Sequence, residues 1–248
     1  MSSFFLAARF LTILPWPRAS EEPDAFDFAA AVSRFPFVGL SLGVLLVFID
    51  FFVGWLAPIS VRDGLLVIAL VVLTGGLHLD GLADLADAMC GGVDAESRLR
   101  IMKDSVTGSM GAMAICGILL LKFAALQSLP SEGRWAALLL APTFSRAAMA
   151  YLMVSLPYAR SEGGTGSVFA EAADPGHGYT AVGWALVASL VFDFFGGILV
   201  GVVAGAVTLF AKRVLGRKLG GGTGDGYGAA GEVVETISLL AFAIKWGN

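Results

Sequence analysis

Long, uninterrupted apolar segments limit the possible folds of this chain more than any other feature. Candidate membrane spans run over residues 36–57, 65–88, 109–129, 135–156, 180–211 and 229–246. A helix needs roughly 20 residues to cross a bilayer, which most of these segments provide. Transmembrane strands would instead alternate apolar and polar residues over about 10 positions. The sequence therefore predicts an all-α, polytopic transmembrane helical bundle.

Composition supports a membrane location for the whole chain. Hydrophobic residues make up 57% of the sequence and charged residues only 15%, whereas soluble domains carry about 25% charged residues. The net charge of −4 argues against nucleic acid as a partner. The predicted macromolecular partner is the lipid bilayer. The apolar segments are spread evenly, so we predict one integral membrane domain over residues 1–248. Residues 4–14 contain Arg9 and predict an interfacial helix rather than a signal peptide.

Basic residues give the predicted orientation, because Lys and Arg concentrate on the cytoplasmic side of membrane proteins. The segment 180–211 is either one tilted helix or two helices of about 15 residues, each roughly 23 Å long. A turn near Asp193 and Gly196 gives about seven spans, and only Arg62, Arg134 and Lys245 then lie outside. The cytoplasmic side would hold Arg9, Arg18, Arg34, Arg98, Arg100, Lys103, Arg160, Lys212, Arg213, Arg217 and Lys218.

An acidic motif, His78-Leu-Asp-Gly-Leu-Ala-Asp-Leu-Ala-Asp87, ends the second apolar segment. Asp80, Asp84 and Asp87 follow an i, i+4, i+7 spacing, which places them within about 60° on one helix face. Carboxylates this close repel one another unless a cation lies between them, and Mg²⁺ prefers oxygen ligands. We predict a magnesium site at these three residues. His78, one turn earlier, is a candidate either for orienting the metal ligands from behind or for donating a hydrogen bond to phosphate, rather than a metal ligand itself.

Three further motifs predict contacts with phosphate. Lys103, Asp104 and Ser105 precede a Gly-containing turn, where a cation beside a carboxylate could hold a phosphate and a metal together. The Gly-rich stretch 220–228 contains Gly224 and Asp225 and continues to Glu232 in an apolar segment, so a second acidic helix could face the first. Arg160 lies beside another Gly-rich stretch, and an arginine fork suits phosphate. Arg146, inside a span, is either a structural ion-pair partner or a substrate contact.

Taken together and in this order, the motifs resemble those of the cobalamin synthase (adenosylcobinamide-GDP ribazoletransferase) family. The resemblance rests on His78–Asp84 with Asp87, Ile101–Ser105 with Gly108, Tyr158–Arg160, and Thr223–Asp225 with Glu232, and it covers most of the chain.

The resemblance implies the joining of adenosylcobinamide-GDP to α-ribazole, or to its 5′-phosphate, with release of GMP and with magnesium as cofactor. It implies an enzyme of the bacterial inner membrane whose active site faces the cytoplasm. It leaves the oligomeric state open and allows a homo-oligomer or a complex with other enzymes of the pathway. The implied catalytic residues are Lys103, Asp104 and Asp225. The implied substrate-binding residues are His78, Ser105, Arg160, Gly224 and Glu232, and the implied metal ligands are Asp80, Asp84 and Asp87.

Two alternatives fit parts of the pattern. A CDP-alcohol phosphotransferase uses the same reaction class, but its acidic motif continues with an Ala-Arg pair that is absent after Gly81. A cation-coupled transporter would also carry acids in apolar segments, although it would place them near the bilayer midplane. Here the acids cluster at predicted cytoplasmic helix ends.

Overall fold

A computed structural model of the chain describes residues 3–17, 22–160, 162–164 and 166–246, without the side chains of Lys245 and Trp246. Arg18, Ser161 and Thr165, which belong to the charge pattern and to a Gly-rich stretch considered above, lie outside the described residues. The predicted all-α bundle is confirmed, since the described residues form twelve helices and no β-strand. These helices are α1 (Ser3–Leu11), α2 (Ala25–Val32), α3 (Phe35–Val53), α4 (Ile59–Thr74), α5 (Leu77–Gly91), α6 (Ala95–Ile101), α7 (Ser109–Gln127), α8 (Ser131–Ser155), α9 (Ser167–Ala172), α10 (Pro175–Phe192), α11 (Phe194–Leu219) and α12 (Gly224–Trp246).

Several of these helices can cross a membrane. Among the described residues, α3, α7, α8, α11 and α12 are long and apolar enough to do so, and the bent pair α4–α5 raises the number from five to six if it is one broken span. The chain is therefore a multi-pass membrane protein. The predicted count of about seven spans also includes α10. This helix has 18 residues but is not one of the helices that are long and apolar enough to cross a membrane.

The predicted span 65–88 is interrupted, which corrects its interpretation as one helix. Gly75 and Gly76 have φ angles of 65° and 69°, a region that glycine enters without the steric cost that a Cβ imposes. Helices α4 and α5 meet there at 89°. The acidic motif consequently lies on a helix of its own, α5, which packs against α7 and α12.

The long apolar segment 180–211 forms two helices, as the charge pattern favours. Helix α10 ends at Phe192, and the side chain of Asp193 caps α11 by accepting a hydrogen bond from the Gly196 N–H at 2.9 Å. Helix α11 continues to Leu219, so the basic residues from Lys212 to Lys218 belong to its last turns rather than to a polar connection.

Helix α8 forms the centre of the bundle. It packs against α3, α10 and α12, and 83% of its most apolar 18-residue window is buried. The helix ends at Ser155, so its position also determines where the following segment, Pro157 to Arg160, can lie.

Two groups of buried charges tie the helices together. Near the start of α8, Arg134 Nε lies 2.8 Å from Asp50 of α3 and its Nη2 contacts Asp63 of α4. These ion pairs neutralise one of the basic residues that the sequence assigns to the outer face. A second group, which we call the buried quartet, consists of Lys122 (α7), Arg146 (α8), Glu232 and Glu235 (α12). Two cations and two carboxylates balance within it, as burial of charge requires.

Candidate active site

The acidic motif forms a continuous face on α5. Asp80 is exposed, whereas Asp84 and Asp87 are partly buried. Asp84 is repelled by Asp80, by Asp87 and by Asp225 of α12, and is attracted by Arg160. The predicted grouping of the α5 carboxylates with Asp225 is therefore present in the structure.

Asp87 has a partner that the sequence did not indicate. Its carboxylate accepts hydrogen bonds from the N–H groups of Gly108, at 2.7 Å, and Gly111, at 2.9 Å. These groups belong to the first turn of α7, where unpaired N–H groups and the helix dipole favour a negative charge. A Cβ at Gly108 or Gly111 would collide with this carboxylate. Asp87 thus joins α5 to α7 at the edge of the acidic face.

Asp225 lies in the first turn of α12, directly against α5. A Cβ at Gly81 would lie 2.6 Å from the Asp225 carbonyl oxygen and 2.8 Å from its Cα, so only glycine permits this approach. The Thr223 hydroxyl accepts a hydrogen bond from the Gly226 N–H at 3.0 Å at the start of the same helix. The close crossing places the Asp225 carboxylate near the α5 carboxylates.

Arg160 connects this acidic cluster to α6. Its Nη2 donates to Asp225 Oδ2 at 2.6 Å and to the carbonyl oxygen of Met102, which follows α6, at 3.2 Å. Arg160 is held there by an isolated parallel bridge between Tyr158 and Gly222. In that bridge, the Ala159 N–H donates to the Gly222 carbonyl at 2.8 Å.

A polar groove opens beside Arg160. Its volume is about 460 Å³, and three cations face it, two from or just beyond α6 and one from the segment after α8. The lining residues are Glu96, Leu99, Arg100, Lys103, Ala159, Arg160 and Glu162. The groove therefore places three cations, together with the carboxylates of Glu96 and Glu162, next to the acidic cluster.

Lys103 and Glu162 form an exposed ion pair at the rim of this groove. Lys103 Nζ lies 2.5 Å from Glu162 Oε2, and the side chains are 46% and 78% exposed. The hydrogen bond from Lys103 and its charge lower the pKa of Glu162. Exposed pairs of this kind stabilise a protein little, so an anionic ligand can compete for Lys103 at little cost.

Asp104, Ser105 and Gly224 do not line the polar groove, although each is next in sequence, or next but one, to a residue of the groove or of the acidic cluster. Asp104 and Ser105 are exposed in the turn after α6, and Asp104 Oδ1 accepts a hydrogen bond from the Val106 N–H at 3.2 Å. A Cβ on Gly224 would meet no atom within 4 Å, so the first turn of α12 borders open space.

Two predicted substrate-binding residues lie away from the groove. Glu232 is 5% exposed and pairs with Lys122 Nζ at 2.6 Å in the buried quartet. His78 is also 5% exposed, packs against Gly228 and interacts electrostatically with members of the quartet. The structure does not bring either side chain to the polar groove, so we do not include them in the candidate site.

Of the two roles that the sequence leaves open for Arg146, the structure shows the ion pair, with Glu235, but the sequence interpretation does not identify the other partners of the buried acids or the groove residues Arg100 and Glu162. Lys122, Arg146 and the two glutamates are charged residues within apolar spans, and charge balance alone could have predicted the quartet. Arg100 carries no local signal, because it approaches Arg160 only through the packing of α6, whereas Glu162 follows Arg160 by two positions in the sequence.

In the present arrangement, no three His, Cys, Asp or Glu side chains among the described residues form a group that could hold a metal ion. The site therefore consists of an acidic face on α5 and α12, a cation-lined groove, and Arg160 between them.

Comparison with known proteins shows the family. The family model described as cobalamin-5-phosphate synthase matches residues 3–243. The chain belongs to this family. A member from Syntrophobacter fumaroxidans, called adenosylcobinamide-GDP ribazoletransferase, is 42% identical over 99% of both chains. A member of the same name from Pseudomonas fluorescens is 38% identical, covering 98% of this chain and all of its own.

Membership makes the chain a transferase of cobalamin biosynthesis and confirms the resemblance drawn from the motifs. The interpretations as a CDP-alcohol phosphotransferase and as a cation-coupled transporter receive no support from these matches. No solved structure is similar to the chain at a significant level.

Proposed function

We propose that this enzyme joins adenosylcobinamide-GDP to α-ribazole or its 5′-phosphate in a magnesium-dependent phosphoryl transfer at the cytoplasmic face of the bacterial inner membrane. The observation that carries the proposal is the contact between an acidic face and a cation-lined groove, joined by Arg160. Transfer from a diphosphate needs both features, because the acidic face can bind the metal and the cations of the groove can neutralise the negative charge of the phosphates.

In the proposed reaction, the ribose 3′-hydroxyl attacks the phosphorus on the cobinamide side of the diphosphate. A new P–O bond forms, the P–O bond to GMP breaks, and the hydroxyl proton passes to a carboxylate. Such transfers depend mainly on positioning and on charge stabilisation of the transition state. Arg100, Lys103 and Arg160 would bind the diphosphate and stabilise the departing GMP from the groove side.

The acidic face fits magnesium by the chemistry of its donors. Mg²⁺ is usually bound by one or two carboxylates together with waters and substrate phosphates, so a complete protein cage is not required. Asp80 and Asp84 would supply these carboxylates. A bound cation would relieve the repulsion that Asp84 experiences from three neighbouring carboxylates. The metal would neutralise charge on the diphosphate. Asp87, which already accepts two backbone hydrogen bonds, would mainly hold the α5 end in place.

The remaining carboxylates divide into two proposed roles. The ion pair with Arg160 at 2.6 Å holds the Asp225 carboxylate in a fixed position, which suits a metal ligand. Asp104 is exposed beside Lys103 and is our proposed acceptor of the hydroxyl proton. Ser105, which follows Asp104, and Gly224, which precedes Asp225, would contact the substrates.

The test is turnover by the purified protein in liposomes, with adenosylcobinamide-GDP and α-ribazole 5′-phosphate. We expect equal amounts of GMP and a cobamide product, measured by chromatography with mass detection. Asp84→Asn should lower kcat by about 100-fold or more, the usual effect of losing one transition-state interaction of this kind. Glu132 is exposed in the first turn of α8, at the end of that helix that lies away from Arg160. Glu132→Gln is therefore the matched control and should keep full activity. Failure of folded wild-type protein to form product would refute the proposed reaction.

A further inference from the structure

A second, apolar groove lies on the side of the bundle, between α8, α10 and α11. Its volume is about 290 Å³. Phe144, Leu186 and Gly201 line one end, and Tyr151, Tyr179 and Thr208 line the other. The groove is separate from the polar groove at Arg160, because the two have no lining residue in common.

A lysine stands at the tyrosine end of this apolar groove. Lys212 Nζ lies 5.2 Å from the centroid of the Tyr151 ring. Gly201, Gly205, Thr208 and Lys212 follow an i, i+4, i+7, i+11 spacing on α11, so they share one face of the helix. Among the described residues, no carboxylate lies within ion-pair distance of Lys212. The groove thus has an apolar body and a cation without an ion-pair partner at its mouth.

The dimensions of the groove match one leaflet of a bilayer. Eleven residues separate Gly201 from Lys212, which is about 16 Å along a helix. Half of the hydrocarbon core of a bilayer is about 15 Å thick. The end of α11 carries Arg213, Arg217 and Lys218 beyond Lys212, so by the distribution of basic residues this end faces the cytoplasm. Tyrosines are common at this depth, where the ring meets apolar chains and the hydroxyl meets head groups.

We propose that this groove binds an anionic phospholipid of the cytoplasmic leaflet. One acyl chain lies between α8, α10 and α11, and Lys212 attracts the phosphate of the head group. A negative head group is favoured because each lysine near the membrane surface contributes about 1 kcal/mol to binding of anionic lipid, or about fivefold in affinity. Arg160 lies in the segment that joins α8 to α10. A lipid bound between these helices would therefore also hold in place the two ends of the segment that carries Arg160.

Two pairs of variants test the head-group contact and the acyl-chain contact separately. Lys212→Gln removes the cation, and Arg213→Gln removes its exposed neighbour as a matched control. Gly205→Leu fills the groove, since a Cβ at Gly205 meets no atom within 4 Å. Gly117→Leu on α7, where a Cβ also meets no atom, controls for adding a leucine to an open helix face.

The measurement is native mass spectrometry of delipidated protein in detergent, with dioleoyl phosphatidylglycerol or dioleoyl phosphatidylcholine added. Wild-type protein should prefer phosphatidylglycerol. Lys212→Gln should lower that preference about fivefold, and Arg213→Gln, which removes a cation that does not contact the groove, should lower it less. Gly205→Leu should reduce binding of both lipids, whereas Gly117→Leu should not. Equal binding of the two lipids by wild-type protein, or an unchanged preference in Lys212→Gln, would overturn the proposal.

Discussion

Gly81→Ala tests whether the close crossing of α5 and α12 positions the site. In an exposed helix, replacing glycine with alanine stabilises by roughly 0.5–1 kcal/mol. Here the new Cβ would lie 2.6 Å from the carbonyl oxygen and 2.8 Å from the Cα of Asp225. Backbone atoms cannot rotate away as a side-chain end can, so the helices must separate. Overpacking of this kind costs about 1–3 kcal/mol, and the steric cost outweighs the gain in helix propensity.

The separation should affect catalysis more than folding. Asp84 and Asp225 belong to the two helices that would move apart, and a displacement of about 1 Å in a catalytic site can cost on the order of 100-fold in rate. We therefore expect a kcat about 10- to 100-fold lower, with a modest decrease in Tm, measured by GMP release and by thermal unfolding in detergent.

Gly117→Ala is the control for Gly81→Ala, because a Cβ at Gly117 meets no atom within 4 Å. This variant should keep both kcat and Tm, or gain slightly in Tm. Wild-type kcat in the Gly81→Ala variant would show that the crossing does not set the geometry of the site.

Three further substitutions test separate contacts. Asp87→Asn removes the charge that caps α7, so unfolding in detergent should show a loss of about 1–2 kcal/mol; an unchanged unfolding curve would argue against the cap. Lys122→Met leaves Glu232 with an unpaired charge in the bundle and should cost about 3–5 kcal/mol, measured the same way, whereas wild-type stability would contradict the buried quartet. Arg160→Lys keeps the charge but loses the planar fork that contacts Asp225 and the Met102 carbonyl, so kcat should fall about 10-fold or more with Tm unchanged. Full activity in that variant would exclude a positioning role for Arg160.

Much of the fold follows from patterns within single segments. Helix α7 begins at Ser109, as the apolar segment predicts, and Asp193 separates α10 from α11 near the predicted turn. The break at Gly75 and Gly76 was missed because hydropathy continues across it, although two adjacent glycines can adopt positive φ angles that end a helix.

The site shows the same division between local and distant information. The three α5 aspartates share a helix face because their spacing alone determines it. The partner of Asp87 could not be predicted, since the donors are backbone N–H groups more than 20 positions away. Glu232 lies seven residues after Asp225 and so on the same side of α12, but packing places Lys122 of α7 opposite it rather than substrate. Local spacing gives the face of a helix, and only the tertiary arrangement shows what that face meets.

The acidic face of α5 is proposed to hold magnesium against the diphosphate. The most direct measurement is the initial rate of GMP release as a function of magnesium concentration, after removal of bound metal with EDTA. We expect no release without magnesium in wild-type protein, and a half-saturating magnesium concentration at least about 10-fold higher in Asp80→Asn, because losing a ligand weakens metal binding. Glu132→Gln should match wild type. Full activity without a divalent cation, or identical magnesium dependence in Asp80→Asn and wild type, would contradict the claim.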